Sequence, residues 1–549
     1  MKLCGDIMSN VPTAVEAENW DPKTMPVLKM VNITKRFPGV LANDHINLEV
    51  MAGEIHALLG ENGAGKTTLM NILYGLYRPN EGEIYVRGQK VEINSPKDAL
   101  DLGIGMVHQH FKLVDVMSVA ENVALGLPEY KFVLPMKEIK KRFLEIAEKY
   151  KLQVDPDAKI WQLSAGEKQR VEILKVLLRG AEILILDEPT SVLTPQETVE
   201  LFKTLKTMTK EGLSVIFITH KLEEVMEISD NVTVLRRGRV IDTVETKNVT
   251  KEKLAKMMVG REVLFRLEKR PVKKGAPVIE VQNLEAFNDK GVKALRGVSF
   301  VINEGEILGI AGVAGNGQRE LAEVITGLRK ATGGRVLIFG EDVTNRGAHV
   351  VLEKGLAHIP EERIEMGIIP GMSVKDNMIL HCYKRSPFSV HLFDAIPQLS
   401  KSLTSLKDKT KWLDNFVLNY NYIKKYAENL VDEYQIMTPS IETNAEKLSG
   451  GNIQKLILAR ELAHEPKIII AAHPTYGLDV GATEFVRKQL LKERERGAAI
   501  LLISEDLEEI FNLSDRIAVM FEGEIMGIVE PEKTTIEEVG LMMAGSKRM

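Results

Sequence analysis

The residues best suited to chemistry begin in the stretch GENGAGKTT. It fits the pattern G-x-x-x-x-G-K-[ST], in which glycines let backbone N–H groups close around phosphate oxygens. The helix that follows such a loop adds favourable partial charge at its N-terminus. Lys66 is expected to reach the β- and γ-phosphates of a nucleotide, and the Thr67 hydroxyl to ligate Mg²⁺. The predicted phosphate-binding residues are Gly60, Glu61, Asn62, Gly63, Ala64, Gly65, Lys66, Thr67 and Thr68.

Two acidic residues follow the apolar run ILIL. Asp187 is expected to hold Mg²⁺ through a water molecule, and Glu188 to orient or deprotonate the water that attacks the phosphate. A strand that ends in Asp-Glu is, by itself, more often a solvated strand end. Beside a phosphate-binding loop, the catalytic interpretation is favoured.

The elements that position these residues are predicted from hydrophobic patterning. EIHALLG, AEILILD and LSVIFIT are short apolar runs bounded by turn or charged residues, as buried parallel strands are. Longer amphipathic stretches such as GEKQRVEILKVLLRG lie between them and indicate helices. Strands that alternate with helices predict an α/β fold whose mostly parallel sheet is covered on both faces.

The chain repeats itself. Gly60 matches Gly312 at a displacement of 252 residues, and LSAGEKQ matches LSGGNIQ at 285. Two copies of one domain are therefore predicted, the second with an extra 33 residues, most of them in a mainly helical segment at 381–443. The predicted boundaries are a tail at 1–26, a first domain at 27–265, a charged linker at 266–277 and a second domain at 278–549.

Composition excludes several other classes of protein. A net charge of -5 over 549 residues gives no sign of a nucleic-acid partner. The apolar runs fall well short of the roughly 20 residues that a membrane-spanning helix needs. Cys4 and Cys382 are far apart and indicate neither a disulfide framework nor a zinc site. The first residues lack a long apolar segment, so we expect a tail and not a signal peptide.

Further motifs carry a family resemblance. LSAGEKQR directly ahead of ILILDEPT, with Gln109 in MVHQHF and His220 in IFITHKLEE, resembles the nucleotide-binding domain of ABC transporters over roughly residues 27–546. The resemblance implies two tandem P-loop NTPase domains, each with a helical subdomain, and ATP and Mg²⁺ as cofactors. It also implies that Gln109 contacts Mg²⁺, that His220 touches the γ-phosphate and that Phe37 stacks on adenine. For Phe37, a core role is nearly as well supported.

In that family two domains enclose ATP head to tail, between the phosphate loop of one and the LSGG segment of the other. For the first loop, the resemblance supplies Ser449, Gly450, Gly451 and Asp479 from the second copy. The second loop would instead face the altered LSAGE segment and Thr194. Its own chemistry-bearing positions are all changed, to Gln318, Arg319, Glu361, Ala472, His473 and Glu505.

One hydrolytic site and one structural or regulatory site are therefore predicted, since loss of a general base alone typically costs about 10²- to 10⁴-fold in rate. The glycines at the second loop can serve either to pack the sheet or to hold nucleotide.

An intact first half joined to a GVAGNGQ second half resembles the ATPase subunit of importers for simple sugars and nucleosides. MVHQHF, QRVEILK and EPTSVLTPQE favour the nucleoside branch, with import of monosaccharides such as ribose, galactose or xylose as the alternative. A soluble ABC ATPase of translation or DNA repair is less favoured, because one site is degenerate and the linker is short. Glu188 argues against a purely regulatory nucleotide sensor.

The importer interpretation implies integral-membrane permease subunits, an extracellular solute-binding protein and a peripheral position on the cytoplasmic face of the membrane. The two domains would pair within one chain or between chains. The helical subdomains would meet the permease, and Phe111 and Leu113 are equally expected to be exposed there or buried.

Overall fold

The structure is a computed structural model that describes residues 20–109, 111–125, 127, 135–193, 195–262, 269–313, 315–390 and 417–548. The chain divides into two compact units, Met1–Val263 (unit 1) and Leu264–Met549 (unit 2). Most of the predicted tail, the first part of the predicted linker, Thr194 and residues 391–416 of the predicted insertion lie outside the described residues.

Unit 1 is built on a six-stranded sheet in the order β10-β9-β3-β8-β7-β6, in which only β10 runs antiparallel to its neighbour. Its central strands are buried along their whole length, as strands covered by helices on both faces must be. A four-stranded antiparallel sheet, β2-β1-β4-β5, packs beside it. The strands are β1 Leu28–Phe37, β2 Val40–Val50, β3 Ile55–Leu59, β4 Glu81–Val86, β5 Gln89–Val91, β6 Ile104–Val107, β7 Ile183–Asp187, β8 Ser214–Thr219, β9 Asn231–Arg236 and β10 Arg239–Glu245.

Among the described residues between β6 and β7, three α-helices form the predicted helical subdomain around the buried Phe143. Ser118 and Ser164 begin two of these helices with capping boxes, so the helix starts are encoded locally. The helices of unit 1 are α1 Lys66–Leu73, α2 Pro96–Asp101, α3 Val119–Ala124, α4 Met136–Lys149, α5 Ala165–Leu177, α6 Pro195–Lys210, α7 Leu222–Ile228 and α8 Lys251–Val259.

Unit 2 repeats this architecture, with a six-stranded sheet in the order β16-β19-β20-β13-β21-β22 and a four-stranded sheet in the order β12-β11-β14-β15. Its strands are β11 Pro277–Phe287, β12 Lys293–Asn303, β13 Ile307–Ala311, β14 Gly333–Ile338, β15 Glu341–Asp342, β16 Leu356–Ile359, β17 Ser389–Val390, β18 Val417–Leu418, β19 Ile468–Ala472, β20 Ala499–Ser504, β21 Arg516–Phe521 and β22 Glu524–Val529. Its helices include α9 Gln318–Ile325, α10 Ala348–Glu353, α11 Val374–Met378, α12 Tyr420–Glu433, α13 Gly450–Leu462, α14 Val480–Glu495, α15 Leu507–Leu513 and α16 Ile536–Met543.

Two connecting segments are partly described. Within the predicted insertion, α12 is helical, while β17 and β18 form a short two-stranded ladder. The described part of the predicted linker packs on unit 2: Arg494 donates to the Arg270 carbonyl oxygen at 2.8 Å, and Lys274 donates to Glu306 at 3.0 Å. Within the described ranges, no helix has the length and apolar character needed to cross a bilayer.

Candidate active site

The phosphate-binding loop of unit 1 lies between β3 and α1, where the sequence predicted it. Gly65 begins the helix with a φ of 100°, and a Cβ there would lie 2.4 Å from the Ala42 carbonyl oxygen, so this position requires glycine. The Lys66 side chain is buried, and its Nζ donates to the carbonyl oxygens of Gly60 at 2.6 Å and Glu61 at 3.0 Å. Lys66 therefore stabilises the conformation of the loop and places a positive charge inside it.

Asp187 ends β7 beside this loop and is only 4% exposed. Burial and the neighbouring Glu188 raise the pKa of the Asp187 carboxyl to about 6, against the lowering effects of the Thr67 hydroxyl and the Lys66 charge. These effects show that Asp187, Thr67 and Lys66 are close neighbours, as sequence analysis predicted. The Asp187 carboxylate, the Thr67 hydroxyl and the Gln109 amide oxygen are of the kind that could hold Mg²⁺, which keeps several of its waters when it binds.

Glu188 is held from two sides. Gln109 Nε2 donates to one carboxylate oxygen at 3.0 Å, and His220 Nδ1 lies 3.0 Å from the other. Burial acts to raise the pKa of Glu188, but the hydrogen bond and charge of His220, helped by Lys66 and Lys221, outweigh it and lower the pKa. The backbone of Glu188 is left-handed, with a φ of 47°, a conformation that is strained for a residue other than glycine. The structure therefore brings Gln109, Glu188 and His220 together.

Phe37 lies at the end of β1 and is half-buried. Its ring packs edge to face against Tyr77 with centroids 5.5 Å apart, and Lys35 Nζ lies 5.3 Å from the Phe37 ring centroid. Tyr77 and Lys35 were not found by sequence analysis, although an aromatic residue just after α1 was a visible signal. The described core clusters do not include Phe37, so the core role is not supported, and stacking on adenine stays a prediction.

The second loop keeps the backbone conformation of the phosphate-binding loop although it lacks the lysine. Gly315 and Gly317 have φ values of 86° and 102°, nearly those of Gly63 and Gly65 at 82° and 100°. Gln318 is buried where unit 1 has Lys66, and its Nε2 donates to the Val313 carbonyl oxygen at 3.0 Å. A neutral amide thus holds the loop as the ammonium group does in unit 1.

The remaining positions of the second loop's neighbourhood carry no replacement for the catalytic groups. Arg319 pairs with Glu323 of its own helix at 2.9 Å. β19 ends in Ala472, and His473 keeps the left-handed backbone of Glu188 with a φ of 46°. Glu361 and Glu505 are exposed. The geometry of the turn is conserved between the units, while the oxygen ligands and the general base are missing.

The helices that begin at the LSAGE and LSGG segments, α5 and α13, start differently. Ser164 and Glu167 form a reciprocal capping box, in which the Glu167 N–H donates to Ser164 Oγ at 3.2 Å and Glu167 accepts from the Ser164 N–H. Ser449 makes no such cap; its Oγ accepts from Asn452 Nδ2 at 2.8 Å. Gly450 and Gly451 form the first turn of α13, and Asp479 caps α14 through the Ala482 N–H at 2.8 Å. In the LSAGE segment the Ser164 hydroxyl therefore caps its own helix, whereas the Ser449 hydroxyl of the LSGG segment does not.

Sequence analysis left open whether Phe111 and Leu113 are exposed or buried in the helical subdomain of unit 1, and the structure gives both an intermediate exposure. Leu113 packs against the core, and Phe111 is half-buried. Val116 and Trp161 are instead 76% and 64% exposed. Their segments are joined by backbone hydrogen bonds from Trp161 N to Asp115 O and from Ile160 N to Met117 O. The isolated tryptophan was the sequence signal that could have indicated this surface, hereafter the Val116–Trp161 surface.

The raised pKa of Asp187 has a consequence for stability. Because folding raises this pKa from 3.8 to about 6, ionised Asp187 destabilises the metal-free fold above pH 6. Asp187→Asn should therefore raise the free energy of unfolding of metal-free unit 1 by about 1–3 kcal/mol at pH 7. The gain should shrink as the pH falls below about 6 and vanish below 3.8, where the carboxyl is protonated in both states. Urea titration at several pH values, with hydrogen exchange of the β7 amides as the probe of unit 1, checks this; a variant less stable at pH 7 contradicts it.

Comparison with known proteins bears on this arrangement. The family model described as ABC transporter matches residues 43–191 and 295–476. A guanosine import ATP-binding protein, NupO, of Bacillus subtilis is 49% identical over 521 residues, which are 95% of this chain and 98% of that protein. A nucleoside import ATP-binding protein, NupA, of Lactococcus lactis is 46% identical over 94% of this chain and 98% of its own length. A ribose import ATP-binding protein, RbsA, of Clostridium perfringens is 38% identical over 95% of this chain and 98% of its own length.

Proposed function

The chain belongs to the ABC transporter family, and from that premise we propose that it is the ATP-hydrolysing subunit of an importer of nucleosides. The assignment of ATPase activity rests on the arrangement of Gln109, Glu188 and His220 beside the phosphate-binding loop. The likeness to import ATP-binding proteins for guanosine and for nucleosides supports a nucleoside as the transported solute. Import of a monosaccharide is the second candidate, because a ribose import relative also spans nearly the whole chain.

In the proposed mechanism, the backbone of the first loop and Lys66 hold the phosphates of ATP. Thr67, Gln109 and, through a water molecule, Asp187 would hold Mg²⁺, which would supply positive charge opposite the β- and γ-phosphates. Glu188 orients the attacking water and accepts its proton, and its lowered pKa keeps it ionised for that role.

His220 contacts Glu188 and fixes the direction in which the carboxylate points. Unit 2 supplies no such carboxylate at His473, so we assign hydrolysis to unit 1 alone. The contributions of Ser449, Gly450, Gly451 and Asp479 to ATP binding remain a proposal that rests on the sequence resemblance.

The partners of this subunit are proposed to be integral-membrane permease subunits and an extracellular solute-binding protein, with the chain on the cytoplasmic face of the membrane. Exposed apolar surface is a common feature of docking sites. We assign permease contact in unit 1 to the Val116–Trp161 surface. Val116→Asp should keep the ATPase activity of the isolated chain and abolish its stimulation by the permease. A Val116→Asp variant that keeps its full stimulation by the permease would contradict this assignment.

The cargo is tested by reconstituting the chain in vesicles with its copurifying membrane subunits and solute-binding protein. Guanosine-loaded binding protein should stimulate ATP hydrolysis several-fold, and ribose or galactose should have no effect. Stimulation by ribose alone would favour monosaccharide import and overturn the nucleoside assignment. ATPase activity that copurifies with ribosomes and is unchanged by detergent would contradict the importer function itself.

A further inference from the structure

We propose that Glu224 is a positioning residue for ATP hydrolysis, which ties the ends of β7 and β8 together and thereby holds Glu188 and His220 at their working distance. This inference rests on the proposed ATPase of unit 1. Glu224 itself touches neither Glu188 nor His220 among the contacts described, and it acts through the two threonines that flank them.

The Glu224 carboxylate is 6% exposed and bridges two segments. Thr190 Oγ1 donates to Glu224 Oε1 at 2.5 Å, and Thr219 Oγ1 donates to Glu224 Oε2 at 2.7 Å. Lys221 Nζ lies 3.0 Å from Oε1 and balances the buried charge. Hydrogen bonds from hydroxyl groups to an ionised carboxylate are short and roughly twice as strong as neutral ones. A single side chain therefore fixes both segments.

The two threonines stand next to the catalytic pair. Thr190 lies two residues after Glu188 in the turn that leaves β7, and Thr219 is the last residue of β8, directly before His220. The Thr219 hydroxyl also accepts from the Lys221 N–H at 3.0 Å, so it organises the turn that carries His220. A shift of either turn alters the 3.0 Å separation between His220 Nδ1 and the Glu188 carboxylate. Misplacement of reacting groups by about 1 Å can cost two orders of magnitude in rate.

Unit 2 keeps the residue types of this bridge at the corresponding positions. Glu509 occupies the position of Glu224 on the corresponding helix α15, and it is fully buried. The Ser504 and Thr475 hydroxyls, which stand where unit 1 has Thr219 and Thr190, also face its carboxyl. Arg487 Nε lies 3.7 Å from the Glu509 carboxylate.

The backbone around this position is also the same in both units. The His473 N–H donates to the Ile503 carbonyl oxygen at 2.8 Å, as the Glu188 N–H donates to the Ile218 carbonyl oxygen at 3.0 Å. A buried glutamate thus lies between two hydroxyl residues beside Glu188 in unit 1 and beside His473 in unit 2. Paired substitutions at the two positions therefore separate an effect on chemistry from an effect on folding.

The test compares Glu224→Ala with its matched control Glu509→Ala in the full chain, with ATP hydrolysis as the readout. Glu224→Ala should lower kcat about tenfold and leave KM for ATP within about twofold. Glu509→Ala should leave kcat and KM unchanged. Both variants remove a buried side chain at the same place in the fold, so a purely structural role would lower the thermal midpoints alike without this kcat difference.

Isosteric variants keep the test decisive if Glu224→Ala folds poorly. Thr219→Val removes one of the two bridging hydroxyls and should lower kcat several-fold, while Thr219→Ser retains the hydroxyl and should restore most of the activity. In the Glu224→Ala background, Thr219→Val should add little, because both changes remove the same contact. Full kcat in Glu224→Ala and Thr219→Val overturns the inference. A wild-type chain without ATPase activity instead overturns the proposed function.

Discussion

Glu188→Gln in the full chain is expected to lower kcat for ATP hydrolysis by about 10²- to 10⁴-fold, the usual cost of losing a general base. The amide is nearly isosteric, so it keeps hydrogen bonds with Gln109 and His220 but cannot accept a proton from the attacking water. ATP binding should persist because Lys66 and the loop are untouched. Single-turnover phosphate release and nucleotide-binding titration separate the two effects.

The matched control is His473→Gln, which makes the same side chain at the corresponding position of unit 2. His473 has the left-handed backbone of Glu188 but follows Ala472, whereas Glu188 follows an aspartate. Its substitution should leave ATP turnover unchanged. Comparable losses from the two variants would mean that both units hydrolyse ATP, and the assignment of hydrolysis to unit 1 would fail.

Local patterns predicted where the phosphate-binding loop and the residues beside it lie. The glycine spacing predicted the loop and placed Lys66 and Thr67 on the helix that follows it. The apolar run before Asp187 predicted a buried strand, and the structure brings its carboxyl end to the loop. These positions could be predicted because such a loop depends on backbone geometry that a few consecutive residues determine.

Contacts between distant segments could not be predicted in the same way. The bond from Gln318 to the Val313 carbonyl oxygen depends on a rotamer, and the sequence shows only a missing lysine. The Glu224 bridge joins residues up to 34 positions apart. Exposure of Val116 and Trp161, with Leu113 turned to the core, follows from how one loop packs on the helical subdomain. Such features depend on tertiary packing, which overrides local preference.

Lys66→Gln is expected to abolish ATP hydrolysis, with a loss of at least about 10²-fold, while the fold of unit 1 is kept. The substitution gives the first loop the residue that the second loop has. Gln318 shows that a glutamine amide in this place can hold the loop by donating to a carbonyl oxygen. It carries no charge, so it cannot compensate the negative charge that develops on the γ-phosphate. The thermal midpoint should therefore change little while both ATP affinity and kcat fall.

The reverse change tests whether charge at this one position is sufficient. Gln318→Lys should place an ammonium group in the second loop, where the left-handed glycines already match those of unit 1. It should not produce a second hydrolytic site, because Arg319 is paired with Glu323 and Ala472 and His473 provide neither a metal ligand nor a carboxylate base. Phosphate release by Gln318→Lys in a Glu188→Gln background measures this directly. Turnover restored towards the wild-type rate would show that the second unit had lost only its lysine, and the proposed division of labour between the units would be wrong.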